Sequence, residues 1–206
     1  MNSGPPVAPR LLPHRLPRVC VAVTGSDPNE LAERAEALVR DNSFLEFRLD
    51  YLSKPGLAIP KTAALPYGAV TSYAGIAVRI GAPSAVRPVA QALRWNPLPI
   101  VIPCHRVIGS TGDLTGYAGK RVELKQRLLA VEGVRALPAG HHDFKVHREA
   151  MYTLMNGEVE YCLPTCGSLS EHPLADLTLF GTRERAEAAG FAPCTSCRPD
   201  LHPLPA

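Results

Sequence analysis

Cys104 and His105, within Pro103-Cys104-His105-Arg106, set a thiol beside an imidazole directly after the apolar run Leu98-Pro99-Ile100-Val101-Ile102. A thiol next to a base can be converted to the thiolate, which is the nucleophilic form. A free cysteine is more often a small buried hydrophobe, so the tetrapeptide gains meaning only from its surroundings. A second set is Cys162-x3-Cys166 and, 27 intervening residues later, Cys194-x2-Cys197. Short spacings let each pair bind from one tight turn, and a tetrahedral zinc ion takes four such ligands. The bland alternative is four unrelated thiols. The remaining cysteine, Cys20, lies in an apolar stretch and reads as core.

These groups need elements to carry them. The run at residues 98–102 reads as a buried strand that delivers Cys104. Before it, residues 72–97 read as helix, tight turn, helix. Ser72 caps a first helix containing Ile76, Ala77 and Ile80, Gly81-Ala82-Pro83 makes the turn, and a second helix runs over about 84–94. In a helix-turn-helix the second helix enters a DNA groove; a plain helical hairpin is the alternative. Pro88 falls inside that second helix, where a proline costs roughly 3 kcal/mol and is expected to tilt it. Glu132 follows a helical stripe of Leu124, Leu128 and Val131. In the C-terminal part, Thr182 caps a short helix over 183–189 that Gly190 ends.

The first 17 residues hold five prolines and no periodicity, and read as a disordered tail. Residues 19–23 read as a strand. Asp27 and Pro28 start a helix with the stripe Leu31, Ala35, Leu38 and Val39, and residues 44–51 alternate as a second strand.

Across 206 residues the formal net charge is +3, but the sign divides along the chain. Residues 67–136 carry nine Lys or Arg against three acids, and residues 137–206 carry five against nine. The positive charge therefore sits on the segment expected to meet phosphates. No apolar run approaches the ~20 residues of a membrane span, so the expected setting is the cytoplasm, away from membranes. There, cysteines serve as thiols and metal ligands rather than as disulfides.

Read as one piece, TSYAGIAVRIGAPSAVRPVAQALRWNPLPIVIPCHRVIGSTGDLTGYAGKRVELKQRLLAVEG closely resembles the active-site domain of the O6-alkylguanine-DNA alkyltransferases. The resemblance implies that Cys104 accepts the alkyl group, His105 takes the thiol proton through a water, and Glu132 orients the imidazole. It implies that Arg87 enters the duplex in place of an extruded nucleotide, and that Tyr73 presses on the adjoining phosphate. Asn96 would tie the loop before the cysteine, Arg106 would contact DNA, and Tyr117 would donate to the departing guanine. The thioether product is stable, so each molecule would act once, without an organic cofactor. The helix that precedes this stretch in the family, with its Pro-Phe-Gln start and Val-Trp pair, has no counterpart in the sequence.

Two further stretches resemble known families. YCLPTC … FGTRERAEAAGFAPCTSCRPD is similar to the zinc domain of Ada-type sensors of DNA methylation. That implies zinc held by Cys162, Cys166, Cys194 and Cys197, with Cys162 as a possible second methyl acceptor for phosphotriesters. RVCVAVTGSDPNELAERAEALVRDNSFLEFRLDYL is similar to the opening of type I 3-dehydroquinate dehydratases. That implies substrate-binding charges at Glu46 and Arg48. The family's Schiff-base lysine lies in later strands that are missing here, so no dehydratase activity is expected.

The expectation is a mixed α/β chain in several segments: a tail (1–17), a strand-helix-strand fragment (18–61), a winged-helix-like, mostly α alkyltransferase domain (62–136) and a small zinc domain (147–203). The expected function is irreversible transfer of a methyl group from O6-alkylguanine in double-stranded DNA to Cys104, by a monomer. The competing function is a DNA- or damage-binding module, or a decayed fusion, in which Cys104 takes no alkyl group.

Overall fold

Two prolines fix where helices of the central segment begin. In the computed structural model, which describes residues 21–26, 28–38, 45–48, 57–96, 98–117, 121–167, 169 and 171–204, helix α2 spans Ala58–Ala63 and carries Pro60 as its third residue. A later helix, Val86–Arg94, carries Pro88 as its third residue. The first-turn N–H groups of a helix have no intrahelical acceptor, so a proline there loses nothing. The expected tilt at Pro88 is thus corrected. The helix starts later than residue 84, its first intrahelical bond runs from Val89 N–H to Ala85 O at 2.9 Å, and the ring faces no preceding turn.

At the N-terminal end, strand β1 (Val21–Thr24), helix α1 (Pro28–Leu38) and strand β2 (Leu45–Arg48) follow in order. The two strands pair in parallel, Val21 opposite Leu45. The expected tail, Cys20, the Asp27 cap and the side chains of Glu46 and Arg48 lie outside the described residues.

The central segment contains α2, strand β3 (Ala69–Ser72), α3 (Tyr73–Arg79), α4 (Val86–Arg94), a 3-10 turn at Cys104–Arg106, strand β4 (Val107–Ile108) and α5 (Val122–Val131). Ser72 caps α3, its side chain accepting from Gly75 N–H at 2.9 Å. Helices α2, α3 and α4 share a buried cluster of Ala58, Ile59, Ile76, Ala77, Val89 and Leu93, with Cys104 and Tyr117 in the same cluster. A short helix therefore does precede β3, and a boundary between 61 and 62 cuts through it.

The apolar run before the cysteine is not a strand. Ile100 and Val101 are 62% and 70% exposed, and Ile100 adopts a φ of 78° that no strand residue takes. The strand comes after the cysteine, as β4.

The rest of the chain forms a hairpin, β5 (Ala136–Gly140) and β6 (Asp143–Val146), then β7 (Tyr152–Met155), β8 (Glu160–Cys162), β9 (Leu177–Phe180), α6 (Arg183–Ala188) and β10 (Ala192–Pro193). Thr182 caps α6, accepting from Arg185 N–H at 3.4 Å. One six-stranded sheet runs β10-β8-β7-β9-β3-β4. It joins the C-terminal strands to the central segment through antiparallel pairing of β3 and β9, Ala69 opposite Phe180. A single buried cluster likewise holds Val70, Ile108, Leu129 and Val134 together with Leu177, Leu179, Cys162, Cys166 and Cys194. The expected separate zinc domain is, in the structure, half of a shared sheet and core. No helix among the described residues is long and apolar enough to cross a membrane.

Candidate active site and metal centre

Three elements converge on Cys104. The 3-10 turn presents its Sγ, Asn96 beyond the end of α4 donates Nδ2–H to that sulfur at 3.0 Å, and the same Nδ2 donates to Ile102 O at 2.7 Å. Asn96 Oδ1 accepts from Leu98 N–H at 3.1 Å, so one side chain closes the irregular loop and holds the thiol. Burial raises the Cys104 thiol above its ordinary range, while the Asn96 hydrogen bond and the nearby Lys125 cation pull it back down.

His105 is buried, and its Nε2 lies 2.9 Å from Glu132 Oε1. Burial alone would raise the Glu132 carboxyl. Hydrogen bonds from His105, Arg106 and Gly68 N–H outweigh it and hold the group at about 2. An ionised carboxylate only accepts, so Nε2 carries the proton and Nδ1 presents the basic lone pair. That Nδ1 is buried with no hydrogen-bond partner among the described residues.

Arg106 departs from its expected part. Its Nε and Nη2 clamp Glu132 at 2.7 Å each, and its Nη1 donates to Leu65 O at 2.7 Å. The guanidinium faces inward and positions Glu132, so it is not free to meet DNA. Tyr117 is buried with its ring edge-on to His105, centroids 6.4 Å apart. Tyr73 opens α3 half-buried, and burial raises its hydroxyl as it does that of Tyr117. Both phenols stay protonated and able to donate. Arg87 is exposed on the first turn of α4, and Arg94 is exposed at its end.

Lys125 was not legible as a site residue. It is 0% exposed, and its Nζ donates to Val107 O at 2.6 Å and Thr115 O at 3.2 Å. Nζ also sits 5.8 Å from the centre of the Tyr73 ring. Burial lowers this lysine to about 8, partly opposed by the Cys104 sulfur. The inward face of α5 is therefore Lys125 and Leu129, leading to Glu132, while Val131 of the expected stripe is 74% exposed. The hint in the sequence was the i, i+4, i+7 spacing of Lys125, Leu129 and Glu132, which a search for apolar stripes passes over.

The sulfurs of Cys162, Cys166, Cys194 and Cys197 all lie within 4.8 Å of one another. Tetrahedral zinc with thiolate bonds of ~2.3 Å sets sulfur-sulfur separations of roughly 3.8 Å, so the cluster fits that ion with little contraction. Leu163 N–H donates to Cys197 Sγ at 3.3 Å. Such a backbone bond offsets thiolate charge.

Residues 59–134 match the family model of the 6-O-methylguanine DNA methyltransferase DNA binding domain, and residues 145–200 match that of the metal binding domain of Ada. Residues 1–58 lie outside both. A constitutive methylated-DNA–protein-cysteine methyltransferase of Bacillus subtilis is 54% identical over 70 residues, 34% of this chain and 42% of that protein. A methylated-DNA–protein-cysteine methyltransferase of Mycolicibacterium paratuberculosis is 56% identical over 68 residues, 33% and 41% of the two. The chain thus spans about two fifths of the length of the curated relatives it matches. Among solved structures, Schizosaccharomyces pombe Atl1 in complex with damaged DNA containing O6-carboxymethylguanine aligns with a TM-score of 0.42 at 27% identity, over 46% of this chain and 88% of that one.

Proposed function

We propose that this chain repairs DNA by transferring a methyl or other alkyl group from O6-alkylguanine in duplex DNA to Cys104, once per molecule. The observation that carries this reading is the buried relay in which Asn96 holds the Cys104 sulfur while Glu132 fixes the His105 tautomer from behind. Its two matched family stretches support the same conclusion.

The chemistry follows from the side chains. His105 Nδ1 takes the Cys104 proton through one bridging water. The resulting imidazolium is stabilised by Glu132, whose second oxygen stays bound to Arg106. Lys125 adds a positive charge that favours the thiolate. The thiolate attacks the alkyl carbon in line, an S–C bond forms, the C–O6 bond breaks, and the electron pair leaves on the guanine. A proton donated by Tyr117 neutralises the departing base, and the phenol regains a proton from solvent as the imidazolium releases the one it took from the thiol. Because O6 is unreachable within a stacked pair, the nucleotide must be extruded, at a cost of a few kcal/mol. Arg87 on α4 would fill its space, and Tyr73 would press the adjoining phosphate.

Cys162, Cys166, Cys194 and Cys197 would hold zinc, which supplies a tetrahedral cross-link among four thiolates. No step of the transfer passes through it. The strand-helix-strand unit around β1 and β2 supplies no residue of this relay, and neither matched family stretch reaches it.

Incubation of limiting protein with a duplex bearing one O6-methylguanine tests the reading. Guanine should be restored in proportion to the protein added and then stop, and Cys104→Ser should restore none. Retained DNA binding without restoration would leave a damage-binding module instead.

A further inference from the structure

The four-cysteine centre and the thiol at Cys104 are built into one sheet and one core. Cys162 ends β8, and Cys194 N–H donates to Tyr161 O at 2.9 Å beside it. From there the sheet runs through β7 and β9 to β3 and β4, and β4 directly follows the turn of Cys104, His105 and Arg106. Side chains stitch the same seam. Thr71 Oγ1 donates to Leu177 O at 3.0 Å, and Arg79 donates to Asn156 Oδ1 at 2.6 Å and to Thr178 Oγ1.

The seam reaches Glu132 itself. Gly68 donates its N–H to Glu132 Oε2 at 3.2 Å and accepts from Gly181 N–H through its carbonyl at 3.1 Å. The Tyr67 ring has Arg106 of the active site 5.4 Å from its centre and Arg185 of α6 4.4 Å from it. Backbone packs on backbone here: a Cβ on Gly181 would overlap Gly133 O, and one on Gly68 would lie 2.7 Å from Arg185 Cγ and 2.8 Å from Glu132 O.

We propose that the Cys162, Cys166, Cys194 and Cys197 centre, with its metal bound, is the structural keystone of the Cys104 site. It holds the six-stranded sheet in place, and through Gly68 and Gly181 the Glu132 loop with it. The proposal rests on the alkyl-transfer reading for its functional consequence, while its structural core stands apart from that reading. Metal binding to a thiolate set is coupled to the folding of what surrounds it. Here Cys162, Cys166 and Cys194 belong to one buried cluster with Val70, Ile108, Leu129 and Val134 of the central segment.

The test compares the zinc-loaded full chain with the chain stripped by a chelator, zinc content being measured in both. Two quantities are read: amide hydrogen exchange at residues 69–72, 107–108 and 132–134, and the rate of methyl gain on the Cys104 peptide. Stripping should raise exchange at all three stretches by more than about tenfold, the mark of a lowered opening free energy. It should slow methyl gain in step, and zinc should restore both. Unchanged exchange at those stretches after verified zinc loss would overturn the proposal. If stripping unfolds the whole chain, zinc-loaded Gly181→Val decides, since it wedges the seam without touching a metal ligand or a reacting residue. It should keep its zinc yet lose methyl transfer, and transfer at the native rate would contradict the proposal. If the loaded native chain gains no methyl at all, the alkyl-transfer reading falls, and the exchange pattern alone decides whether the centre holds the sheet.

Discussion

At the scale of residues, the site is a balance between burial, which opposes charge on Cys104 and Lys125, and a few hydrogen bonds that favour it on Cys104 and Glu132. Lys125 carries the clearest consequence. Replacing it with Met fills a similar volume and removes the buried charge, at a cost of about 1–3 kcal/mol for the Val107 and Thr115 carbonyls that lose their donor. The Cys104 thiol then loses a cation that favours its thiolate, and each pKa unit regained by the thiol lowers the thiolate fraction roughly tenfold. Methyl transfer by Lys125→Met should therefore slow roughly tenfold to a hundredfold. The pH profile should change as well. The native rate should level off as pH passes about 8, where Lys125 loses its proton, whereas the variant should keep rising. Glu132 makes the second prediction. Its carboxyl lies at about 2, below its unfolded value of 4.5, so the stability it contributes is complete above 4.5 and is lost as pH falls through about 2. Denaturant titrations from pH 5 to pH 2 should show this loss in the native chain and little of it in Glu132→Gln. That variant should be less stable at neutral pH by roughly 3 kcal/mol, having broken a buried charge pair.

At the scale of elements, α4 presents an exposed arginine on its first turn and ends next to the asparagine that holds the thiol. On the proposed function, this arrangement would separate extrusion from chemistry. Arg87→Ala should slow reaction with a modified duplex roughly tenfold to a hundredfold, because extrusion costs a few kcal/mol. Reaction with a free O6-alkylguanine base should be unaffected, and an equal loss on both substrates would place Arg87 in the chemistry. Much of this element was legible beforehand. The Ser72 and Thr182 caps and the turn at Gly81 follow from local rules that tertiary contacts left alone. Pro88 misled, because the effect of a proline depends on how far it stands from the helix start: three residues in, Pro88 is as harmless as Pro60 in α2. The run at 98–102 misled for another reason. Its apolar content matched a strand, but Asn96 ties it into a loop and leaves Ile100 and Val101 facing outward.

At the scale of the molecule, the sequence suggested separate modules in a row, and the structure joins two of them. Nothing in a local pattern reports that β3 pairs with β9 across more than a hundred residues, nor that Leu129 and Cys166 share a core. Lys125 was hidden for the same reason, since its acceptors, Val107 O and Thr115 O, are brought to it only by the fold. A chain cut after residue 146 would expose the open edge of β3 and the apolar face of Val70, Ile108 and Leu129. It should therefore collect in the insoluble fraction or show the circular dichroism of an unfolded chain, whereas a well-folded fragment would show that the shared core is dispensable.

The central claim is that Cys104 is the alkyl acceptor, and the most direct measurement is the mass of the protein itself. After incubation with excess duplex carrying one O6-methylguanine, the full chain should gain one methyl group in place of one hydrogen. Peptide mapping should place that group on Cys104, and Cys104→Ser should gain nothing. An unchanged mass in the native chain, or a methyl group found only on another cysteine, would contradict the account.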